Sequence, residues 1–129
     1  MTPVFLTLDE VLALHDDLIE RYGGASGIRD LNLLSSALGT PQATFEGQFL
    51  HGSLPEMAAA YLFHLAKNHP FIDGNKRTAL AASLAFLWLN DVRIAAEEGD
   101  LFDLVLAVAD GKSTKAQAAV FIERHAEPA

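Results

Sequence analysis

Apolar residues recur at helical spacing along most of this chain, and the pattern predicts an all-α fold. Thr7 opens a capping box with Glu10, and Leu8, Val11, Leu12, Leu18, Ile19 and Tyr22 carry one stripe as far as Gly23. Gly23, Gly24 and Gly27 then make a loop that reads as a turn. Asp30 is the expected N-cap of a short helix through Leu38, stopped by Gly39 and Pro41. No periodicity survives from Thr40 to Gly52, which predicts an extended or irregular flap. Ser53 and Glu56 form a second capping box, and behind it Leu54, Met57, Ala58, Tyr61, Leu62 and Leu65 line one stripe.

The next helix, about Asn75 to Leu89, is apolar nearly all round and is therefore expected to be the buried, central one. A brief extended piece at Val92 to Ile94 precedes a helix capped by Asp100 and ended by Gly111. Thr114 with Gln117 opens the last helix, through His125, and the tail Glu127-Pro128-Ala129 is expected to fray. Neither an internal repeat nor a linker interrupts this order, so residues 1–129 read as a single domain.

Composition narrows the function classes. Half the residues are hydrophobic and only 20% are charged, as in a compact globular chain. With no cysteine, a disulfide framework and a thiolate zinc site are both excluded. The first residues carry no basic, apolar secretory signal and no stretch is long enough for a membrane span, so a cytoplasmic protein is expected. A net charge of −8 argues against direct binding to nucleic acid. Against that acidic background Lys67, Lys76 and Arg77 cluster in the sequence.

The cluster surrounds the stretch His69 to Arg77, HPFIDGNKR. Pro70 keeps His69 from continuing the preceding helix, so its ring can be exposed at a helix end or in a loop. There it can accept a proton as a neutral imidazole, or interact as a cation with the helix C-terminus. Phe71 reads as a packing anchor. Asp73 reads either as the N-cap of the next helix or as a carboxylate that shares a Mg²⁺ ion with phosphates. Gly74 and Asn75 suit a turn with positive φ and exposed amides, an anion cradle at a helix N-terminus. Cations in a first helical turn are unfavourable by roughly 0.3–1 kcal/mol each, so Lys76 and Arg77 together point to a bound anion.

This stretch resembles the Fic signature, HPFx(D/E)GNGRxxR, and more closely the Doc (death-on-curing) branch, in which Lys replaces the second Gly. The resemblance extends to Tyr22-Gly23-Gly24, Gly27-Ile28-Arg29-Asp30 and Phe86-Leu87-Trp88-Leu89-Asn90. It implies a compact Fic-type helical domain binding ATP and Mg²⁺. Carried over, His69 is the general base, Asp73 the magnesium-linked carboxylate, Gly74 and Asn75 the phosphate-binding backbone and amide, and Arg77 the phosphate-binding arginine. Lys76 stands where typical Fic adenylyltransferases have Gly, and Leu80 stands where they have a second Arg.

Both departures put AMP transfer in doubt. The Doc branch implies a toxin of a toxin–antitoxin pair, a kinase that phosphorylates a Ser or Thr hydroxyl of elongation factor Tu and stops translation. His69, Asp73, Lys76 and Arg77 are then the catalytic set. A Fic-type adenylyltransferase and a non-catalytic antitoxin-binding module are the alternatives. No (S/T)xxxE(G/N) inhibitory helix is present, so inhibition is expected from a separate, cognate antitoxin.

Other residues read more plainly. Phe45 and Phe49 of the flap can grip a partner or cover the core, and Lys67 reads as a solvated helix-end cation. His15, His51, His64 and His125 lack metal-ligand spacing and read as structural or surface residues.

Overall fold

A computed structural model describes residues 2–129, and among them six helices carry the fold. These are α1 (Leu8–Tyr22), α2 (Leu31–Gly39), α3 (Leu54–Asn68), α4 (Asn75–Leu89), α5 (Glu98–Ala109) and α6 (Lys115–His125). Two minimal antiparallel pairs complete it: β1 (Thr44–Phe45) with β2 (Gln48–Phe49), and β3 (Val92–Ile94) with β4 (Ala126–Pro128). The mostly α-helical architecture expected from the pattern is the one found.

Local rules set most helix starts. Thr7 Oγ1 accepts from Glu10 N at 3.2 Å while Glu10 Oε1 accepts from Thr7 N at 2.9 Å, a complete capping box. Thr114 and Gln117 repeat it on α6. Asp30 caps α2 through Leu33 N. The Ser53 box is half formed: Ser53 Oγ takes Glu56 N, but the Glu56 carboxylate reaches back to Gly52 N and the Ser53 hydroxyl.

Three expectations are corrected. Pro41 does not end the α2 segment; it sits buried in a 3-10 turn, Thr40–Gln42, that continues it, near the turn's start where an amide is not needed. The N-cap of α5 is Glu97, without a side-chain bond, and Asp100 lies inside the first turn. The C-terminal tail is paired: β4 lies antiparallel to β3 with Val92 opposite Pro128, an Arg93–Glu127 ion pair, and Ala129 N on Asp91 O at 3.0 Å.

The core is built around α3. Met57, Ala58, Ala59, Ala60, Tyr61, Leu62, Leu65 and Ala66 are all buried, because α3 packs against α2, α4, α5 and α6. Its small Ala side chains admit α4 closely enough for Ser83 Oγ to donate to Ala58 O at 2.9 Å. The helix after the motif loop, α4, is buried through Thr78, Ala79, Ala82, Ser83, Phe86 and Leu87. Burial does not extend all round it, since Trp88 and Leu89 are 63% and 41% exposed. The centre is thus shared, with α3 surrounded and α4 leaving one face to solvent at its end.

The flap is a hairpin whose turn residues, Glu46 and Gly47, both have positive φ, as a two-residue type I′ turn demands. Phe49 packs on Phe5, with ring centroids 5.7 Å apart, whereas Phe45 stays exposed. So Phe49 covers the core and Phe45 does not. No helix among the described residues is long and apolar enough to cross a membrane.

Candidate active site

The segment between α3 and α4 is held by a second strip of chain, the loop after α1. His69 ends α3 in the left-handed region, φ 48 and ψ 54. The helix's last carbonyls lack intrahelical partners. Arg29 supplies them: its Nε donates to His69 O at 2.7 Å and its Nη2 to Asn68 O at 2.9 Å. The amides of Arg29 and Asp30 both donate to Pro70 O, and Ile72 N donates to Gly27 O at 3.1 Å. Ile28 faces Phe71 in an isolated antiparallel bridge.

Beneath the loop lies an aromatic floor. Phe71, 1% exposed, stacks on the buried imidazole of His15, whose Nε2 donates to Asp73 O at 2.8 Å. Phe71 is the anchor its sequence context predicts. Asn75 closes the loop from inside: Oδ1 accepts from Phe71 N at 2.9 Å, and Nδ2 donates to Phe71 O at 3.0 Å and to His69 Nδ1 at 3.3 Å. The Phe71 amide fixes which end of the carboxamide is oxygen. Nδ1 of His69 therefore carries a lone pair, and the neutral ring holds its proton on Nε2. With its carboxamide committed to the loop, Asn75 offers only its backbone amide to the cleft.

The anionic and cationic groups meet at the start of α4. Gly74 is its N-cap, in the left-handed region at φ 75, and a Cβ there would lie 3.2 Å from Ile19 Cδ1, so a larger residue would be strained. Asp73 does not cap the helix end with its side chain in the usual way. Its Oδ2 accepts from Ala25 N at 3.2 Å and its Oδ1 from the adjacent Gly74 N at 2.8 Å. These two amide bonds hold its carboxyl below the ordinary 3.8 against a partly opposing desolvation, with smaller help from His15 and Arg77.

No side chain caps α4, and its first backbone bond is Thr78 N to Gly74 O. The amides of Asn75, Lys76 and Arg77 therefore have no intrahelical acceptor. They form the positive end of the helix dipole. Arg77 lies over the Tyr22 ring, 4.4 Å from its centroid, which orients the guanidinium.

A cleft of about 350 Å³ collects these groups, lined by His69, Ile72, Asp73, Gly74, Asn75, Lys76, Arg77 and Phe102. All six site residues predicted from the sequence border it. One proton acceptor, one ionised carboxylate, two cations and an open helix N-terminus suit a polyanion accompanied by a divalent cation. Among the described residues no cluster of three or more His, Cys, Asp or Glu could hold a metal alone. A single carboxylate fits Mg²⁺ shared with phosphate oxygens and water, and does not fit an all-protein cage.

Sequence reasoning missed four participants. The Gly23–Gly27 loop is more than a turn, because Ala25 N fixes Asp73. Arg29 fixes the end of α3, His15 supports the floor, and Phe102 on α5 borders the cleft from outside the motif. One signal was available: His15 falls four residues after the buried Val11, on the apolar stripe of α1. Lys67, as expected, is an exposed helix-end residue and does not border the cleft.

Comparison with known proteins agrees with this geometry. A family model described as the Fic/DOC family matches residues 5–87. A protein named Toxin Doc from Mycolicibacterium smegmatis is 47% identical over 76 residues, 59% of this chain and 58% of that protein. A protein named Protein kinase doc from Escherichia phage P1 is 36% identical over 116 residues, 90% of each chain. The first match thus spans less than two thirds of its relative, and the second spans nearly the whole of both.

Proposed function

The chain belongs to the Fic/DOC family, and on that premise we propose that it is a toxin kinase that moves the γ-phosphate of ATP to a Ser or Thr hydroxyl. Elongation factor Tu is the proposed target, translation arrest the outcome and the cytoplasm the place of action. Residues 1–129 act as a single domain. The observation that carries the reading is the convergence of His69, Asp73, Lys76 and Arg77 on one cleft at the uncapped start of α4.

Phosphoryl transfer asks a protein mainly for positioning and charge stabilisation. Lys76, Arg77 and the amides of the first α4 turn hold the phosphates. Asp73 would hold a magnesium ion, which when bound would supply further neutralisation of the transferring group. His69 takes the hydroxyl proton on the nitrogen that bears its lone pair, Nδ1 in the tautomer that Asn75 selects. The acceptor hydroxyl reaches that nitrogen when the ring turns away from Asn75 Nδ2, and Asn75 keeps its bonds to Phe71. The oxygen freed of its proton attacks the γ-phosphorus, and ADP leaves.

Two features favour phosphoryl over adenylyl transfer. Lys76, which lines the cleft, stands where glycine would leave more room for the α- and β-phosphates. Leu80 is packed against the core, so no cation comes from that position. The partner that restrains the activity is a cognate antitoxin, a role supported by the relative named Toxin Doc.

The test uses ATP labelled either at the γ-phosphate or in the adenine, with magnesium and elongation factor Tu. Transfer of the γ label alone, absent in His69→Ala, is the expected result. Adenine label on the target would replace the kinase reading by adenylyl transfer, and no label of either kind would leave a binding module.

A further inference from the structure

We propose that Arg29 is a positioning residue for the reaction: it fixes the proton acceptor His69 by gripping that residue's own carbonyl. This rests on the kinase reading above. Arg29 lies forty positions before His69 in sequence and does not border the cleft. Its effect has to pass through the backbone.

His69 depends on restraint from outside its own helix. It ends α3, its φ of 48 is one that a residue with a Cβ rarely adopts, and its ring is exposed. Two restraints keep the imidazole in the cleft. One is the 3.3 Å contact from Asn75 Nδ2 to the ring, the longest bond around the loop. The other is the Arg29 fork on His69 O and Asn68 O, at 2.7 and 2.9 Å. The fork is charge-assisted, its planar geometry fixes both carbonyl directions at once, and a cation suits the negative end of α3.

The same arrangement separates positioning from folding. Arg29 is exposed, so removing its side chain opens no cavity and lets water reach the two carbonyls. The bonds from the Arg29, Asp30 and Ile72 amides to the loop are backbone bonds and survive the substitution. On the far side of the cleft, Asp73 is held by Ala25 and Gly74, and Arg77 rests on Tyr22. Loss of the guanidinium therefore frees His69 while leaving the phosphate-binding groups in place.

Wild type, Arg29→Lys, Arg29→Met and Arg29→Ala are compared with ATP, magnesium and elongation factor Tu. Arg29→Met is expected to lose about 10²-fold in kcat, the scale of a misplaced reacting group, with KM for ATP changed by less than about twofold. Arg29→Lys is expected to fall between, because an ammonium cannot bridge both carbonyls with the same fork. Guanidinium ion, added well below its denaturing range, is expected to restore part of kcat to Arg29→Ala only.

A second measurement is independent of the reaction: ¹⁵N shifts of the His69 ring. In wild type they should report a bare Nδ1 and a protonated Nε2, and in Arg29→Met an average over both tautomers. An unchanged kcat in Arg29→Met, or unchanged ring shifts, overturns the proposal. So does a loss of kcat that merely tracks a loss of folded protein. If wild type itself transfers no phosphate, the kinase reading falls and the ring shifts alone decide whether Arg29 holds His69.

Discussion

The rings of His15 and Phe71 lie parallel within 6°, with centroids 3.8 Å apart, and the same imidazole donates to Asp73 O. One side chain of α1 thus supports the middle of the motif loop by packing and by a hydrogen bond. His15→Leu keeps the apolar contact and strands the carbonyl. The expected cost is about 1 kcal/mol, the low end of the range for an acceptor left without its donor, because this carbonyl is only partly buried. Urea unfolding measures it, and an unchanged midpoint would mean that water satisfies Asp73 O as well as histidine does.

His69 sets function against stability. Its left-handed conformation is cheap only for glycine. His69→Ala and His69→Gly both remove the imidazole, so both should lose about 10²–10⁴-fold in transfer rate. They should differ in folding. The Gly variant is expected to be more stable than the Ala variant by about 1 kcal/mol, since alanine carries the same backbone penalty as histidine without the ring contact to Asn75. Equal melting temperatures for the two would show that the strain is relieved elsewhere.

Gly24 tests the hold on Asp73. A Cβ at Gly24 would come within 2.6 Å of Asp73 Oδ2, and its φ of +117 is itself poor for alanine. Gly24→Ala should push the carboxylate off Ala25 N, move its pKa back up toward 3.8, and weaken magnesium-dependent nucleotide binding. A destabilisation of about 1–2 kcal/mol accompanies the backbone strain. The carboxyl ¹³C shift of residue 73, followed against pH, reads the change directly. If it titrates as in wild type, Ala25 N is not what depresses it.

What could be read from the sequence follows the range of each interaction. Thr7, Asp30, Ser53 and Thr114 announce helix starts because a cap acts within three residues. The six motif residues were legible because they fall within nine consecutive positions, His69 to Arg77. Arg29 on His69, Ala25 on Asp73 and His15 on Asp73 join positions 40, 48 and 58 apart, and no local rule pairs them. The tail was misjudged for the same reason: Ala126–Pro128 looks unstructured until β3 lies beside it. Asp100 reads as a cap because aspartate is a favoured capping type, yet the chain leaves extended conformation at Glu97.

His64 predicts how the fold responds to acid. It is half-buried between α3 and α6, with Lys115 Nζ donating to its Nε2 at 3.2 Å. Burial first, then the Lys115 charge and the neighbouring His51, pull its pKa from 6.5 down to about 4. His51 is lowered as well, by burial and Lys115. Between these values the unfolded chain binds a proton that the folded chain refuses, so the unfolded state gains as pH falls. Stability is full above about pH 6.5, declines through the window down to about 4, and then ceases to change on account of His64. Asp73 acts in a separate window: its lowered pKa gives stability that is present above 3.8 and lost only as pH falls further. Urea unfolding at steps across both windows distinguishes them. His64→Gln retains an acceptor for Lys115 and should flatten the decline above about pH 4 while leaving the acid limb below it. An undiminished slope in His64→Gln would assign the loss to other groups.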